Sequence, residues 1–321
     1  MKRWRRPMIV LAAVLLAGAV RMPVEVALTG ELRAAGLFPV PLAIDTRDRI
    51  GQTSAAVALG GLRTLVATFL NLRWLTFFSE RRWDDVAETF DTMVDLAPRT
   101  DFYWETGAWH QAYNAAAYYQ YDADLPPLRR TAAWRDAILR GRAFLERGIR
   151  NNPGDAKLNE YLGFLLTDRN KFQAFRDPDA TFAAAAAAYQ AAADSGEALP
   201  KVRRFQLYAL ARVPSREAEA LALARSLYHN PDNRVPTLQC VYFALEVHAN
   251  PDGIEPLAFA LGIFSSPEDA YESLSRYWRR AGEHFPVHGV ASVLKALEVK
   301  LAIPPDQSIL QQAPTQAPED E

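Results

Sequence analysis

Apolar residues recur at intervals of three and four along most of this chain, which is the spacing of a helix with one buried face. The clearest example is a set of seven positions: Leu62, Leu65, Val66, Phe69, Leu70, Trp74 and Phe77. A polar turn at 80–82 follows, and a second helix then runs to Pro98. The pattern predicts an all-α chain whose first helices form an antiparallel pair.

The second helix has the spacing of the second helix in a tetratricopeptide repeat. Four residues separated by four, three and five positions carry it: Val86, Phe90, Met93 and Pro98. In the next helix, Trp104, Gly107 and Ala108 stand at the Trp, Leu and Gly positions of the repeat motif. The small residues there allow neighbouring helices to approach closely, so a second repeat is predicted to begin at Trp104.

Later segments repeat this arrangement with insertions. The positions that end successive pairs, Pro98, Pro153, Glu197 and Pro231, are separated by 55, 44 and 34 residues. A period of 34 fits if the first two gaps contain 21 and 10 inserted residues, placed near 120–131 and 167–178. The prediction is an α-solenoid of degenerate tetratricopeptide-like helix pairs over residues 60–302.

In such a solenoid, the motif positions form the seams between helices. The residues predicted at these seams are Trp74, Val86, Phe90, Pro98, Trp104, Gly107, Leu162, Gly163, Ala185 and Tyr189. After residue 302 the chain is rich in Gln, Ala, Pro and acidic residues, which leaves little apolar surface to bury. Residues 303–321 are therefore predicted to be a disordered tail.

Residues 1–28 have the order of an export signal, because four basic residues precede an apolar run from Met8 to Val20. Two outcomes remain open. Apolar residues continue past Arg21 towards Leu28, which favours an inner-membrane anchor; the small residues around Ala19 would instead permit cleavage and release. In both cases the basic end stays cytoplasmic and the rest of the chain becomes periplasmic. Residues 29–59 are predicted to be an extension without a clear pattern.

The composition and the motifs argue against several kinds of partner and site. The formal net charge of −2 includes the four basic residues near the N-terminus, so the rest of the chain is mildly acidic and no nucleic-acid partner is expected. Cys240 is the only cysteine, which excludes an intramolecular disulfide, and its apolar neighbours predict a buried side chain. No nucleotide-binding loop or nucleophile motif occurs, so no cofactor is predicted.

Potential transition-metal ligands cluster in sequence shortly before residue 290. Glu283, His284 and His288 lie close together there. Pro286 interrupts the helix that would place both histidines on one face, and the His-Glu-x-x-His order is absent. No metal is therefore predicted.

Two elements of the chain resemble a group of bacterial membrane-anchored or secreted tetratricopeptide-like proteins. The first is Gly60-Gly61-Leu62-Arg63, preceded by Gly51-Gln52. The second is a Trp-His-x-Ala-Tyr-Asn element at 109–114. No activity is assigned to that group, so the resemblance implies a helical-repeat architecture and a place in the cell envelope. Tetratricopeptide proteins in general bind peptides or protein partners in a concave groove.

Polar and aromatic residues form a stripe beside the apolar face of the helix that contains this second element. Tyr103, His110 and Asn114 recur at helical spacing and are the candidate partner-binding residues. The alternative favoured by the sequence is structural: His110 and Asn114 would hydrogen-bond a neighbouring segment, because buried polar groups require partners. Catalysis is not expected from this set.

Two function classes follow. The first is an exported, membrane-anchored scaffold that is not an enzyme and that binds a protein or peptide. The second is a carbohydrate-active or glycan-binding protein with a cleft at 101–124, because aromatic residues and carboxylates cluster there. The residues of this cluster are Trp104, Trp109, Tyr113, Tyr118, Tyr119, Tyr121, Asp101, Glu105, Asp122 and Asp124.

Overall fold

A computed structural model describes residues 63–280 and 284–311. The described residues form α-helices joined by short turns and 3₁₀ segments, without a strand, which confirms the all-α prediction. The predicted export segment 1–28 and the extension 29–59 lie outside the described residues. Among the described helices, none combines the length and the apolar character needed to cross a bilayer.

The chain divides into two compact units, with the boundary between Tyr103 and Trp104. The sequence instead predicts one repeat domain over 60–302. The described helices of the first unit are α1 (Arg63–Ser79) and α2 (Trp83–Leu96). They pack through aromatic rings, with the centroids of Trp74 and Phe90 5.6 Å apart.

The boundary between the units falls within helix α3 (Asp101–Trp109). A π-helical turn, His110–Ala115, follows α3 without a break. The later helices are α4 (Ala116–Tyr121), α5 (Pro127–Asn151), α6 (Ala156–Thr167), α7 (Pro178–Asp194), α8 (Lys201–Leu210), α9 (Glu217–His229), α10 (Pro236–Ala249), α11 (Pro256–Ile263), α12 (Pro267–Arg279) and α13 (Val290–Lys300). From α4 onward, each helix packs against the next one in sequence.

Local sequence explains where these helices start. The Asp155 side chain accepts a hydrogen bond from the backbone N–H of Leu158 at 3.0 Å, and Asp177 caps α7 in the same way. Both are N-caps that satisfy an otherwise unpaired N–H of the first turn. Proline occupies the first turn of α5, α7, α10, α11 and α12, where its missing N–H costs nothing.

Eight of the ten predicted seam residues are buried, and Trp74 and Pro98 are half-buried. Glycines at repeat positions allow the closest contacts. A Cβ on Gly148 would lie 3.0 Å from the Trp104 ring, and one on Gly163 would lie 2.8 Å from the Tyr189 ring. The small residues of the motif therefore stand where aromatic rings of neighbouring helices pack.

Part of the segment predicted to be a disordered tail is anchored to the helices, because Ser308 and Ile309 are buried while residues 304–307 are exposed. The carboxylate of Glu298 accepts hydrogen bonds from the Ser308 hydroxyl, the backbone N–H of Ile309 and the Tyr271 hydroxyl. Ile309 is buried. The composition of the whole tail conceals this one apolar anchor and its buried carboxylate partner. Residues 312–321 lie outside the described residues.

Candidate binding groove

The Trp-His-x-Ala-Tyr-Asn element coincides with the π-helical turn. Trp109 is the last residue of α3, and His110 to Asn114 lie in the wider turn that follows. The Asn114 side-chain amide is 2.7 Å from Nδ1 of His110, within this turn. Short π segments inside α-helices often occur at functional sites. The turn divides the element into one buried side and one partly exposed side.

His110 belongs to the buried side. Its side chain is buried, and burial lowers its pKa to about 4, so the imidazole is neutral at neutral pH. Asn114 is half-buried and Tyr103, in the first unit, is buried. None of these three predicted partner-binding residues lines either of the two cavities described below. His110 and Asn114 contact each other within one turn, whereas the structural alternative predicts that they hydrogen-bond a neighbouring segment.

The buried side of the element packs against α5 at a glycine. A Cβ on Gly141 would lie 2.7 Å from Cβ of Ala112 and 3.0 Å from the carbonyl oxygen of Ala108. One turn of helix earlier along α3, Trp104 packs against Phe144, with ring centroids 5.0 Å apart. This side therefore serves helix packing.

The other side presents aromatic rings. Trp109 and Tyr113 stack with centroids 4.1 Å apart and an interplanar angle of 15°. Tyr113 stacks in turn on Phe164 of α6, at 6.2 Å and 20°. Trp109 and Phe164 are 42% and 47% exposed, so both ends of this row remain open to solvent. Large aromatic rings left open in this way are typical of binding surfaces.

Trp109 and Phe164 line a cavity of about 530 Å³. Its other lining residues are Glu105, Lys157, Glu160, Tyr161, Tyr189 and Phe205. The Tyr161 hydroxyl donates a hydrogen bond to Oε1 of Glu105 at 2.6 Å. That bond, with burial, raises the pKa of Tyr161 to about 12. The cavity thus joins aromatic walls to a carboxylate that a tyrosine holds in place.

A second cavity of about 330 Å³ adjoins the first, because Phe164, Tyr189 and Phe205 line both. It extends to Thr167, Tyr208, Arg212, Thr237, Arg280 and Phe285. We call the combined surface the aromatic groove, defined by Trp109, Phe164, Tyr189, Phe205, Tyr208 and Phe285. It has carboxylates at the Glu105 end and guanidinium groups at the Arg212 end.

The guanidinium of Arg212 is held in place by aromatic rings. It lies 4.0 Å from the Phe285 ring centroid and 5.0 Å from that of Phe182. Such cation–π contacts hold the guanidinium against the aromatic rings.

The second predicted insertion, near 167–178, packs behind the aromatic row. Its Lys171 is buried, with Nζ 5.3 Å from the Tyr113 ring centroid, and burial lowers its pKa. Phe172 stacks on Phe182 at 4.8 Å. The insertion therefore supports the back of the aromatic row. The first predicted insertion, near 120–131, is partly helical, because α5 begins at Pro127.

The cluster predicted for a glycan cleft is only partly brought together. Glu105 and Trp109 both line the first cavity, whereas Trp104 is buried and Tyr121 is 65% exposed outside it. Tyr118 and Tyr119 are half-buried and contact each other at 5.4 Å. Asp101, Asp122 and Asp124 do not line either cavity. Sequence reasoning missed Phe164, Glu160 and Phe205, which lie on other helices.

The remaining predicted residues have simple roles. Cys240 is buried and burial raises its pKa, as predicted for a small apolar side chain. His284 packs near the rings of Phe172 and Phe182. Glu283 lies outside the described residues.

Comparison of the chain with protein-family models, with curated proteins and with solved structures gave no match.

Proposed function

We propose that this chain is an exported, tetratricopeptide-like scaffold, anchored in the inner membrane by its N-terminus, that binds a protein or peptide partner in the aromatic groove. One observation carries the proposal: two adjoining cavities share Phe164, Tyr189 and Phe205, so one continuous surface is available to an extended ligand. Tetratricopeptide proteins bind peptides in grooves of this kind. The N-terminal sequence pattern supports the envelope location.

Two features support the solenoid part of the proposal. From α4 onward, consecutive helices pack against one another, as stacked repeats do. The repeat glycines Gly148 and Gly163 lie against aromatic rings of neighbouring helices, which is the role of small residues in the motif. Repeats of this type bury a continuous core only when stacked.

The chemistry of the groove indicates what it would bind. Aromatic walls favour a peptide with large apolar or aromatic side chains, since stacking adds about 0.5–1.5 kcal/mol per pair beyond area burial. Glu105 and Glu160 outnumber Lys157 in the lining of the first cavity and favour a cationic group there, whereas Arg212 and Arg280 favour an anionic group at the second. A peptide carrying both signs would bind in one direction only.

Site-directed photo-crosslinking tests the proposal in cells. Phe164 is 47% exposed, and replacing it with p-benzoylphenylalanine keeps an aromatic ring at the groove. The crosslinker then lies in the cavity that Trp109 also lines. The matched control places the same residue at Val299, which is 80% exposed on α13 and outside both cavities. We expect a partner crosslinked from position 164 and not from 299, identified by mass spectrometry. Equal or absent crosslinking at the two positions would contradict the proposal.

Glycan binding is the second candidate, and one observation favours it. The partly exposed Trp109 lines the first cavity together with Glu105 and Glu160, an arrangement that suits sugar rings and glycoside chemistry. A glycan array probed with the purified chain separates the two candidates. Binding that is lost in both Trp109→Ala and Glu160→Gln would favour the glycan; a blank array with positive crosslinking would favour the peptide.

The envelope location has a separate test. A periplasm-active reporter fused after Glu321 should be active, because the basic residues before the apolar run direct export. N-terminal sequencing of the exported chain distinguishes the anchor from cleavage after Ala19. A full-length chain that remains soluble in the cytoplasm would rule out this location.

A further inference from the structure

Three potential metal ligands that are far apart in sequence meet at one edge of the second unit. They are Glu217 at the start of α9, His248 near the end of α10, and His288 in the turn before α13. One ligand atom from each lies within 4.8 Å of the others. Sequence reasoning considered His288 only with its neighbours Glu283 and His284, whereas folding pairs it with residues 40 and 71 positions earlier.

Both imidazoles lie against the Glu217 carboxylate, each close to a different oxygen. Nε2 of His248 is 3.3 Å from Oε2 of Glu217, and Nε2 of His288 is 3.2 Å from Oε1 of the same carboxylate. Zinc binds histidine nitrogen and carboxylate oxygen at roughly 2.0–2.2 Å in tetrahedral geometry, which places neighbouring ligand atoms about 3.3 Å apart. Both histidines present the same ring nitrogen to the carboxylate.

The backbone holds each ligand in place. Glu217 lies at the start of α9 and His248 near the end of α10. The two helices are also joined by two hydrogen bonds from Arg225 of α9 to the carboxylate of Glu246 of α10, at 2.6 and 2.7 Å. Those bonds lower the pKa of Glu246. The α9–α10 pair therefore fixes the separation of Glu217 and His248.

The turn that carries His288 is fixed from two sides. The Tyr277 hydroxyl donates a hydrogen bond to the carbonyl oxygen of Pro286 at 2.8 Å. Gly289 has φ +72°, and a Cβ there would lie 2.7 Å from Cγ1 of Val247, the residue next to His248. A glycine at 289 thus lets the turn approach α10 closely enough for the imidazole rings to stack, with centroids 3.9 Å apart.

We propose that Glu217, His248 and His288 form a binding site for a divalent transition metal, with zinc as the best match. Two histidines and one carboxylate are a known zinc ligand set that leaves a fourth position open for water or a partner's side chain. The histidine side chains are 38% and 55% exposed, so an ion can reach them. Because the rings lie nearly parallel at 21°, binding requires the imidazoles to rotate until both Nε2 lone pairs point at the ion.

Zinc titration of the purified full-length chain, carrying no histidine tag, tests the site. We expect saturable binding of one Zn²⁺ per chain by calorimetry, and a rise in unfolding temperature that EDTA reverses, because a metal that binds the folded chain stabilises it. Co²⁺ should give the visible absorption of a low-coordinate site. Glu217→Gln, His248→Ala and His288→Ala should each weaken zinc binding by at least about tenfold.

Two histidine variants serve as controls. His229→Ala changes an exposed histidine at the other end of α9, and His284→Ala removes the neighbour that sequence reasoning grouped with His288. Both should bind zinc as the wild type does. In the wild-type chain, zinc should also shift the imidazole NMR signals of His248 and His288 but not those of His229, a readout that needs no variant to fold. No saturable binding, or binding that survives in all three ligand variants, would overturn the proposal.

Discussion

Trp104 and Trp109 are five residues apart on helix α3 and have opposite surroundings. Trp104 is 1% exposed, packs on Phe144 and lies over Gly148 of α5. Trp109 is 42% exposed, stacks on Tyr113 and lines the first cavity. One helix therefore supplies both a buried packing position and an exposed wall of the first cavity, and residue type alone does not separate the two positions.

The largest expected effect is at the buried indole. Trp104→Ala removes a ring that fills the space beside Gly148 and Phe144, and the cavity left behind should lower the free energy of unfolding by about 3–5 kcal/mol. Urea denaturation measures it. An unchanged denaturation midpoint would mean that Trp104 is not a seam residue and that the predicted repeat register is wrong.

Acid should weaken the buried side of the π-helical turn. His110 has its pKa lowered to about 4 in the folded chain, against an ordinary value near 6.5, so the unfolded chain binds the proton first. The stabilisation is complete above pH 6.5 and is lost as pH falls through 4, by up to about 3 kcal/mol. His110→Gln should flatten the fall in unfolding temperature between pH 6.5 and 5. Identical pH profiles would show that His110 titrates normally.

Gly141 on α5 tests how closely the buried side of the π-helical turn packs against its neighbour. Gly141→Ala places a methyl group 2.7 Å from Cβ of Ala112 and 2.9 Å from its backbone nitrogen, and the backbone cannot easily move away. Overpacking of this kind should cost about 1–3 kcal/mol in urea denaturation. Gly262→Ala is the control, because nothing lies within 4 Å of its Cβ and alanine favours the helix. A stabilised Gly141→Ala variant would contradict the packing described here.

These predictions also show what sequence can reveal. Gly148 and Gly163, which the repeat spacing picks out, lie against aromatic rings of neighbouring helices, where a larger residue would not fit. The sequence analysis does not predict the π-helical turn at His110–Ala115, because the apolar spacing there is that of an ordinary helix. The groove depends on residues from four helices, Trp109, Phe164, Tyr189 and Phe205, whose separations follow from tertiary packing and not from any local period.

The three proposed metal ligands are likewise brought together by tertiary packing and not by their spacing in sequence. Pro286 correctly argues against a helix carrying both His284 and His288, and the two histidines lie in different surroundings. Glu217 and His248 join His288 only because α9, α10 and the turn at Gly289 converge. A search limited to neighbours in sequence has no means of finding such a set.

The smallest expected effect on stability is at the exposed indole, and it tests the central claim most directly. In one experiment, Trp109→Ala is combined with the crosslinker at position 164, and both the unfolding free energy and the crosslinking yield are measured. Because Trp109 is already 42% exposed, we expect a loss of only about 1 kcal/mol together with loss of the crosslinked partner. Full crosslinking, or a destabilisation as large as that of Trp104→Ala, would contradict the assignment of Trp109 to a binding groove.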